Sequence, residues 1–449
     1  MDSITMTAEQ QLPKGWKKTT FGEIAQVVSG GTPNTKLGTN FAEKGKGISW
    51  ITPADLSKHT DKFISNGARD LSNDGYKSCS AKLLPAGTVL LSSRAPIGYV
   101  AIAQNELSTN QGFKNFILSD DILSEYAYYY LKSIKSTIES LGSGTTFLEL
   151  SASNARKIPI IYPTSQETQQ AIVNKIESLF DEIDEGIGRL KTAARQIQQY
   201  RQSLLKNAFN GELTKEWRSK HADTLPSENE LLAQIQTARE QHHAQQLADW
   251  QNITIGEVVT ISPKKEKAID DDTDVSFSSM HLMSSSLSEH LTYEIKKWAD
   301  VKKGFTVFRN NDVLLAKITP CFENGKSAVA QDLINGIGTG STEFMVLRSS
   351  NQILPKFLYF LVNTPDFRQA GIHNMTGSVG HKRVPKDFVS TWAFSLPPLA
   401  EQTEIVAILE SKLNACDQLA AELSKQLKQA ELLKQAVLKA AFSGSLLDK

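Results

Sequence analysis

Cysteine is scarce in this chain of 449 residues: Cys79, Cys321 and Cys416 lie far apart, with no CxxC pair. That spacing excludes a disulfide scaffold and offers no zinc site, and the odd count fits a reducing compartment. Long apolar runs are missing, so no stretch of about 18 residues reads as a membrane span. The N-terminal stretch has acidic residues before any lysine and no apolar core, so it does not read as a signal peptide, and a cytoplasmic location is expected. Net charge is absent too, with 49 Lys+Arg against 49 Asp+Glu. A nucleic-acid binder usually carries a basic excess. The charge is unevenly spread, however: net +5 over residues 14–157, +1 over 250–392 and −6 over the rest.

Motifs of catalysis are also lacking. Gly325-Lys326-Ser327 imitates the end of a phosphate loop, but Pro320 stands where the first glycine belongs. There is no H-E-x-x-H, no G-x-S-x-G and no glycine-rich turn after a strand. The Asn/Asp-Pro-Pro-aromatic motif of adenine methyltransferases is absent. Asp270-Asp271-Asp272 reads as a solvated loop. The chain is therefore expected to catalyse nothing alone and to hold no metal.

What is present is a repeat. Residues 172–213 align with 405–446 without a gap, at an offset of 233. Ile172-Val173 matches Ile405-Val406, Glu177-Ser178 matches Glu410-Ser411, and Asp184 matches Asp417. The ends agree best, Ala208-Phe209-x-Gly211-x-Leu213 against Ala441-Phe442-x-Gly444-x-Leu446. A second echo opens each half: Trp16-x5-Gly22-Glu23 and Trp250-x5-Gly256-Glu257. The chain is two copies of one plan, a globular segment followed by a long helix.

Ile176, Ile183, Leu190, Ile197 and Leu204 recur every seven residues, as do Leu409, Cys416, Leu423, Ala430 and Val437. Such a repeat predicts a left-handed coiled coil, although amphipathic core helices of one compact domain share the pattern. Some 40 residues make a rod of about 60 Å, too long for the inside of a small domain. Gly211 and Gly444 are natural stops, while Gly186 and Gly188 weaken the first helix. Copies related by a pseudo-twofold axis place the two helices antiparallel. The globular segments read as mixed. Strands are expected at Thr88–Ser92, 97–103, Asp312–Ala316 and 343–347, with short helices from Glu125 and Pro355. A connecting helix is expected from Ser227, which opens a capping box.

The residues now carry a resemblance. Leu12-Pro13-x-Gly15-Trp16, W-x5-G-E in both halves, Leu396-Pro397-Pro398-Leu399-Ala400-Glu401-Gln402, the two A-F-x-G-x-L ends and Leu213-Thr214-Lys215-Glu216-Trp217-Arg218 resemble the specificity subunit of a type I restriction-modification system, over essentially the whole length. The first copy departs from the Pro-Pro-Leu-x-Glu-Gln pattern, reading Tyr162-Pro163-Thr164-Ser165-Gln166-Glu167-Thr168-Gln169, which puts one docking contact in question. The resemblance implies an α+β fold: two similar mixed α/β recognition domains, joined by two long antiparallel coiled-coil helices in a pseudo-twofold internal repeat. Expected boundaries are 14–157 and 250–392 for the recognition domains, 158–213 and 393–449 for the helical spacers, and 214–249 for the connector.

It further implies that each domain reads one half of a bipartite site in double-stranded DNA. The helices would set the spacer and dock two modification subunits, and two restriction subunits would complete the cleaving complex. This chain would bind no cofactor; S-adenosylmethionine, ATP and Mg would belong to the partners. A protein scaffold holding two partners at a fixed distance is the alternative from another class. A fused methyltransferase-specificity chain is excluded by length.

The residues expected to serve DNA are polar and lie near strand ends. Arg94 and Lys317 follow matching strands, and a cation there suits phosphate or guanine. Asn110 and Gln111 suit the paired donors and acceptors of adenine. Gly142 to Thr146, with Ser143 and Thr145, matches Thr376 to Gly380, with Ser378, and His381, Lys382 and Arg383 lie beyond. These loops, and the loop Ser29–Lys36 with Thr32, Asn34 and Lys36, would bring backbone N–H groups to phosphate. An ordinary surface turn is the other reading of each.

Overall fold

The computed structural model describes residues 12–94, 96–144, 148–221, 250–264, 269–284, 287, 291–378 and 380–447. The connecting helix expected from Ser227 lies outside them, although a helix Lys215–His221 precedes that stretch. The chain divides into two compact units, Met1–Leu190 with Gln426–Lys449, and Lys191–Lys425. Each unit thus joins one globular part to the start of one long helix and the end of the other. No helix among the described residues is long and apolar enough to cross a membrane.

In the first unit, strands Ala25–Ser29, Phe113–Leu118, Val89–Ser93, Ile97–Ala103 and Phe63–Ile64 form a five-stranded sheet in that order. A smaller sheet orders Phe41–Ala42, Arg69–Leu71, Ile48–Ile51 and Ser108–Thr109. The second unit repeats the plan. Val259–Ile261, Phe344–Ser349, Asp312–Ala316 and Ser327–Val329 form one sheet; Glu294–Lys297, Asp274–Ser278, Ile337–Gly340 and Thr306–Arg309 form the other. The apolar strands expected from the sequence are therefore present, buried on both faces, as their unbroken apolar runs require. The aromatic helices fall at Ser124–Ser133 and Pro355–Leu361.

The domain boundaries need correction. Trp16–Thr20 pairs antiparallel with Pro159–Pro163, and Gln251–Thr254 with Ala393–Leu396. Each globular part closes on a strand beyond residue 157 or 392, because the residues between the repeated Trp and Gly-Glu form a strand that needs a partner for its backbone groups.

The long helices run Gln166–Phe209 and Leu399–Ser443, and Gly211 and Gly444 end them at φ +79° and +86°, conformations that favour glycine. Within each unit they are antiparallel: Lys434 donates to Asp184 at 2.5 Å in the first, and Arg201 to Asp417 in the second. Ile176, Leu204, Leu409, Cys416 and Val437 are buried, whereas Ile183, Leu190, Ile197, Leu423 and Ala430 are half-buried. Two helices alone cover only a narrow stripe, and four of the buried seam residues, Ile176, Leu204, Leu409 and Val437, join the apolar cores of the globular parts.

The A-F-x-G-x-L ends are anchors as well as stops. Phe442 packs edge-on against Tyr126 and Tyr130, with centroids 5.3 and 5.1 Å away. Phe209 packs on Phe357 at 4.9 Å in the second unit. Each long helix ends by inserting an aromatic ring beneath the globular part of the other copy. Burying one such ring contributes roughly 2–3 kcal/mol. Gln169 and Gln402, 233 residues apart, are fully buried and make the same bonds. Gln169 Nε2 donates to the Asp121 and Pro163 carbonyls and its Oε1 accepts from Leu123 N–H; Gln402 does the same with Gln352, Pro397 and Leu354. The departure in the first copy therefore spares the glutamine. It places Thr168 where the second copy has Glu401.

Candidate nucleic-acid interface

In the first unit the expected residues gather at one end of the five-stranded sheet. Strand pairing sets Phe113 opposite Ser92 and Lys114 opposite Ser29, and Ser93 N–H donates to the Gly112 carbonyl at 2.7 Å. The loops that leave those ends are thereby neighbours. Gly31 N–H donates to the Thr109 carbonyl at 2.9 Å, and Thr32 Oγ1 accepts from Gln111 N–H at 3.4 Å. A Cβ on Gly30 would stand 1.9 Å from the Asn110 carbonyl oxygen, so only glycine lets the two loops touch. Asn110 Oδ1 accepts from Gly112 N–H at 2.9 Å, so one of its two lone pairs is engaged inside the loop. Gln111, Asn34 and Lys36 are exposed. Asn34 Oδ1 accepts from Lys36 N–H at 3.0 Å, fixing that turn.

Arg94 lies beside the same end. Its Nη2 donates to Glu149 Oε1 at 2.9 Å, and Ser143 and Glu149 exchange backbone bonds of 3.0 and 2.9 Å that close the loop between them. Thr145, inside that loop, lies outside the described residues. The buried amine of Lys114 stands 3.9 Å from the same Glu149 oxygen. Burial pushes its pKa down, the Glu149 charge opposes the shift, and Arg94 adds to it.

The second unit builds its counterpart. Lys317 N–H donates to the Glu343 carbonyl at 3.0 Å, and Val384 N–H to the Lys317 carbonyl at 2.8 Å. Thr376 and Arg383 exchange backbone bonds of 3.0 and 2.8 Å around a loop containing Ser378, and His381 N–H donates to the Ser378 carbonyl at 3.0 Å. Arg383 grips Glu343 with Nη2 at 2.7 Å and Nε at 2.9 Å. These bonds hold the Glu343 carboxyl below the usual carboxylate range; burial opposes the shift, and Lys317 and His381 add to it. Ser378, His381, Lys382 and Arg383 are exposed.

This register corrects two expected matches. Lys317 makes the bonds that Ser93 makes, so the strand-end counterpart of Arg94 is Ile318, which bridges Arg383 as Arg94 bridges Glu149. Likewise Thr376 corresponds to Ser143 and Gly377 to Gly144, whose φ values are +122° and +130°, rather than one residue earlier. Sequence reasoning passed over Lys114, Glu149 and Glu343. The signal for Lys114 was a lone charge inside the apolar run Phe113–Leu118. Among the described residues no group of three or more His, Cys, Asp or Glu side chains could hold a metal ion.

Comparison with known proteins places this arrangement. The family model described as Type I restriction modification DNA specificity domain matches twice, over residues 13–190 and 248–429. The type I restriction enzyme MjaIX specificity subunit of Methanocaldococcus jannaschii is 38% identical over 201 residues, 44% of this chain and 45% of that one. The EcoAI specificity subunit of Escherichia coli is 43% identical over 171 residues, 38% of this chain and 29% of that one. These two matches span less than half of either relative. The EcoDI specificity subunit of Escherichia coli is 24% identical over 439 residues, 97% of this chain and 90% of that one. Among solved structures, a chain of a type I restriction-modification system, solved for its assembly and conformational transition, superposes with a TM-score of 0.69 at 18% identity, covering 97% of this chain and 99% of that one. The HsdS subunit from Thermoanaerobacter tengcongensis gives 0.57 at 18% identity, covering 98% and 99%. These likenesses carry the fold.

Proposed function

We propose that this chain, which belongs to the family of type I restriction-modification specificity subunits, reads double-stranded DNA at a split, asymmetric site, one half by each globular part. The observation that supports this is the repeated strand-end cluster. In both units, loops from the same sheet positions assemble a cation, a carboxylate and exposed polar side chains, but with different residues. A shared frame with diverged side chains suits two half-sites of different sequence. The long helices set the spacing and dock two modification subunits. Tyr200 and Leu419, 47% and 57% exposed, flank a groove with Ile197 and Cys416 in the second unit and supply apolar surface for that docking. Two restriction subunits complete the complex. Methylation and cleavage belong to the partners, with S-adenosylmethionine, ATP and Mg, and this chain orients them without catalysing.

Methylation mapping in cells that carry the chain with its modification partner tests the reading. The expected outcome is one split motif, with Arg94→Ala relaxing one half and Lys317→Ala the other. Methylation without a split motif, or relaxation of neither half, refutes it.

A further inference from the structure

The two clusters share a charge arrangement that attraction to DNA does not explain. In each, a carboxylate pairs with an arginine, Glu149 with Arg94 and Glu343 with Arg383, and a lysine adds its charge: Lys114 Nζ stands 3.9 Å from Glu149, and the Lys317 charge favours the ionised form of Glu343. A carboxylate facing the duplex weakens phosphate binding. Nor is the arrangement inherited residue by residue. In the first unit the arginine stands at the strand end and the carboxylate on the loop; in the second the arginine is on the loop and the carboxylate before the strand. The loop position carries the carboxylate in one unit and the arginine in the other, and the partner comes from a different place each time: Arg94 at the strand end, Glu343 before the neighbouring strand.

We propose that Glu149 and Glu343 are positioning residues that hold Arg94 and Arg383 for guanine readout. This rests on the function given above. A guanidinium has five N–H donors. Arg383 uses Nε and Nη2 on Glu343 and one Nη1 hydrogen on the His381 carbonyl at 3.3 Å. Two donors remain, the number that guanine O6 and N7 accept. Fixing the fork in advance removes the ordering cost of the contact. The carboxylate also repels phosphate, which lowers affinity for duplex of any sequence and raises the share of binding that the base contact supplies. A cation meant for phosphate alone gains nothing from such a neighbour.

The test uses the complex with its modification subunits and a site mapped by methylation. Competition binding is measured on duplexes carrying that site and each single base-pair change. Arg383→Ala and Glu343→Ala should lose discrimination at the same G·C pair of one half-site, by roughly 5- to 150-fold, and leave the other half intact. Arg94→Ala and Glu149→Ala should do so in the opposite half. Glu343→Gln keeps an acceptor for the arginine and drops the charge. It should keep its discrimination and bind random duplex more tightly, with a steeper salt dependence. Full discrimination in Glu343→Ala beside its loss in Arg383→Ala would reduce the carboxylate to a loop clasp and overturn the proposal. If the alanine variant fails to assemble, an unchanged salt slope in Glu343→Gln overturns it instead. A wild-type complex that prefers no duplex sequence would refute the function itself.

Discussion

Arg201 of the central helix donates to Asp417 of the C-terminal helix, and the residues 233 positions from each, Lys434 and Asp184, form the other such pair. Each aspartate meets the cation of the other copy, so the two helices pair in the same way within each unit. Arg201→Ala and Asp417→Ala should each destabilise the second unit, with a coupling of about 0.5–1 kcal/mol in a double-mutant cycle followed by urea unfolding. Strictly additive losses would show that the pair contributes only proximity.

Glu401, 1% exposed, ties the segment after the central helix to the second unit. Its carboxylate accepts from Thr214 Oγ1 at 2.6 Å, from Trp250 Nε1 at 2.9 Å and from Arg218. In the other copy Thr168 and Leu447 stand at the positions of Glu401 and Thr214, so this carboxylate–hydroxyl pair is not repeated there. Glu401→Ala leaves Arg218 without its buried counter-charge and should cost about 3–5 kcal/mol. A loss below about 1 kcal/mol in denaturant titration would contradict that burial.

Gly186 and Gly188 lie within the central helix, and an added Cβ meets nothing within 4 Å at either. Gly186→Ala and Gly188→Ala should each stabilise by about 1 kcal/mol, read as a raised midpoint of thermal unfolding. A lowered midpoint would mean that the helix must bend there.

The Glu343 carboxyl titrates below its ordinary value of 4.5 because Arg383 holds it. A carboxyl depressed in the folded state contributes stability that is present above its unfolded value and is lost as pH falls through the folded one. The deficit of Glu343→Gln relative to wild type should therefore be full at neutral pH and shrink below about pH 4. A deficit independent of pH would assign it to packing.

Inserting seven residues near Gly186 preserves the heptad seam and adds about 10 Å of helix. If the helices set the spacer, methylation mapping should show a spacer changed by one to a few base pairs, with both half-sites retained. An unchanged spacer with intact activity would leave the helices as docking surfaces only.

Much of the frame was legible. The 233-residue repeat, the heptads and Gly211 and Gly444 are patterns along the chain, and the helices follow them. The buried strands were readable from Val89–Ser93 and Asp312–Ala316 because such runs have few other uses. The site was legible only as a set of loops. Arg94, Ser143, Thr32 and Gln111 do meet at one sheet end, but Asn110 turns its acceptor inward, and Lys114, Glu149 and Glu343 gave no local sign of their partners.

What repeats and what is periodic can be read along the chain: two copies, two long helices, their ends and the apolar strands between. Periodicity is a property of neighbours in the chain, so it survives without coordinates. Which carboxylate faces which arginine depends on the folded chain. Arg94 and Glu149 are 55 residues apart, and Glu343 and Arg383 are 40 apart. Their meeting depends on the hydrogen-bond register of strands and loops between them. Lys317 takes the place of Ser93 and not of Arg94 because its backbone makes the bonds of Ser93, and a shift of one residue turns a side chain to the other face of the sheet.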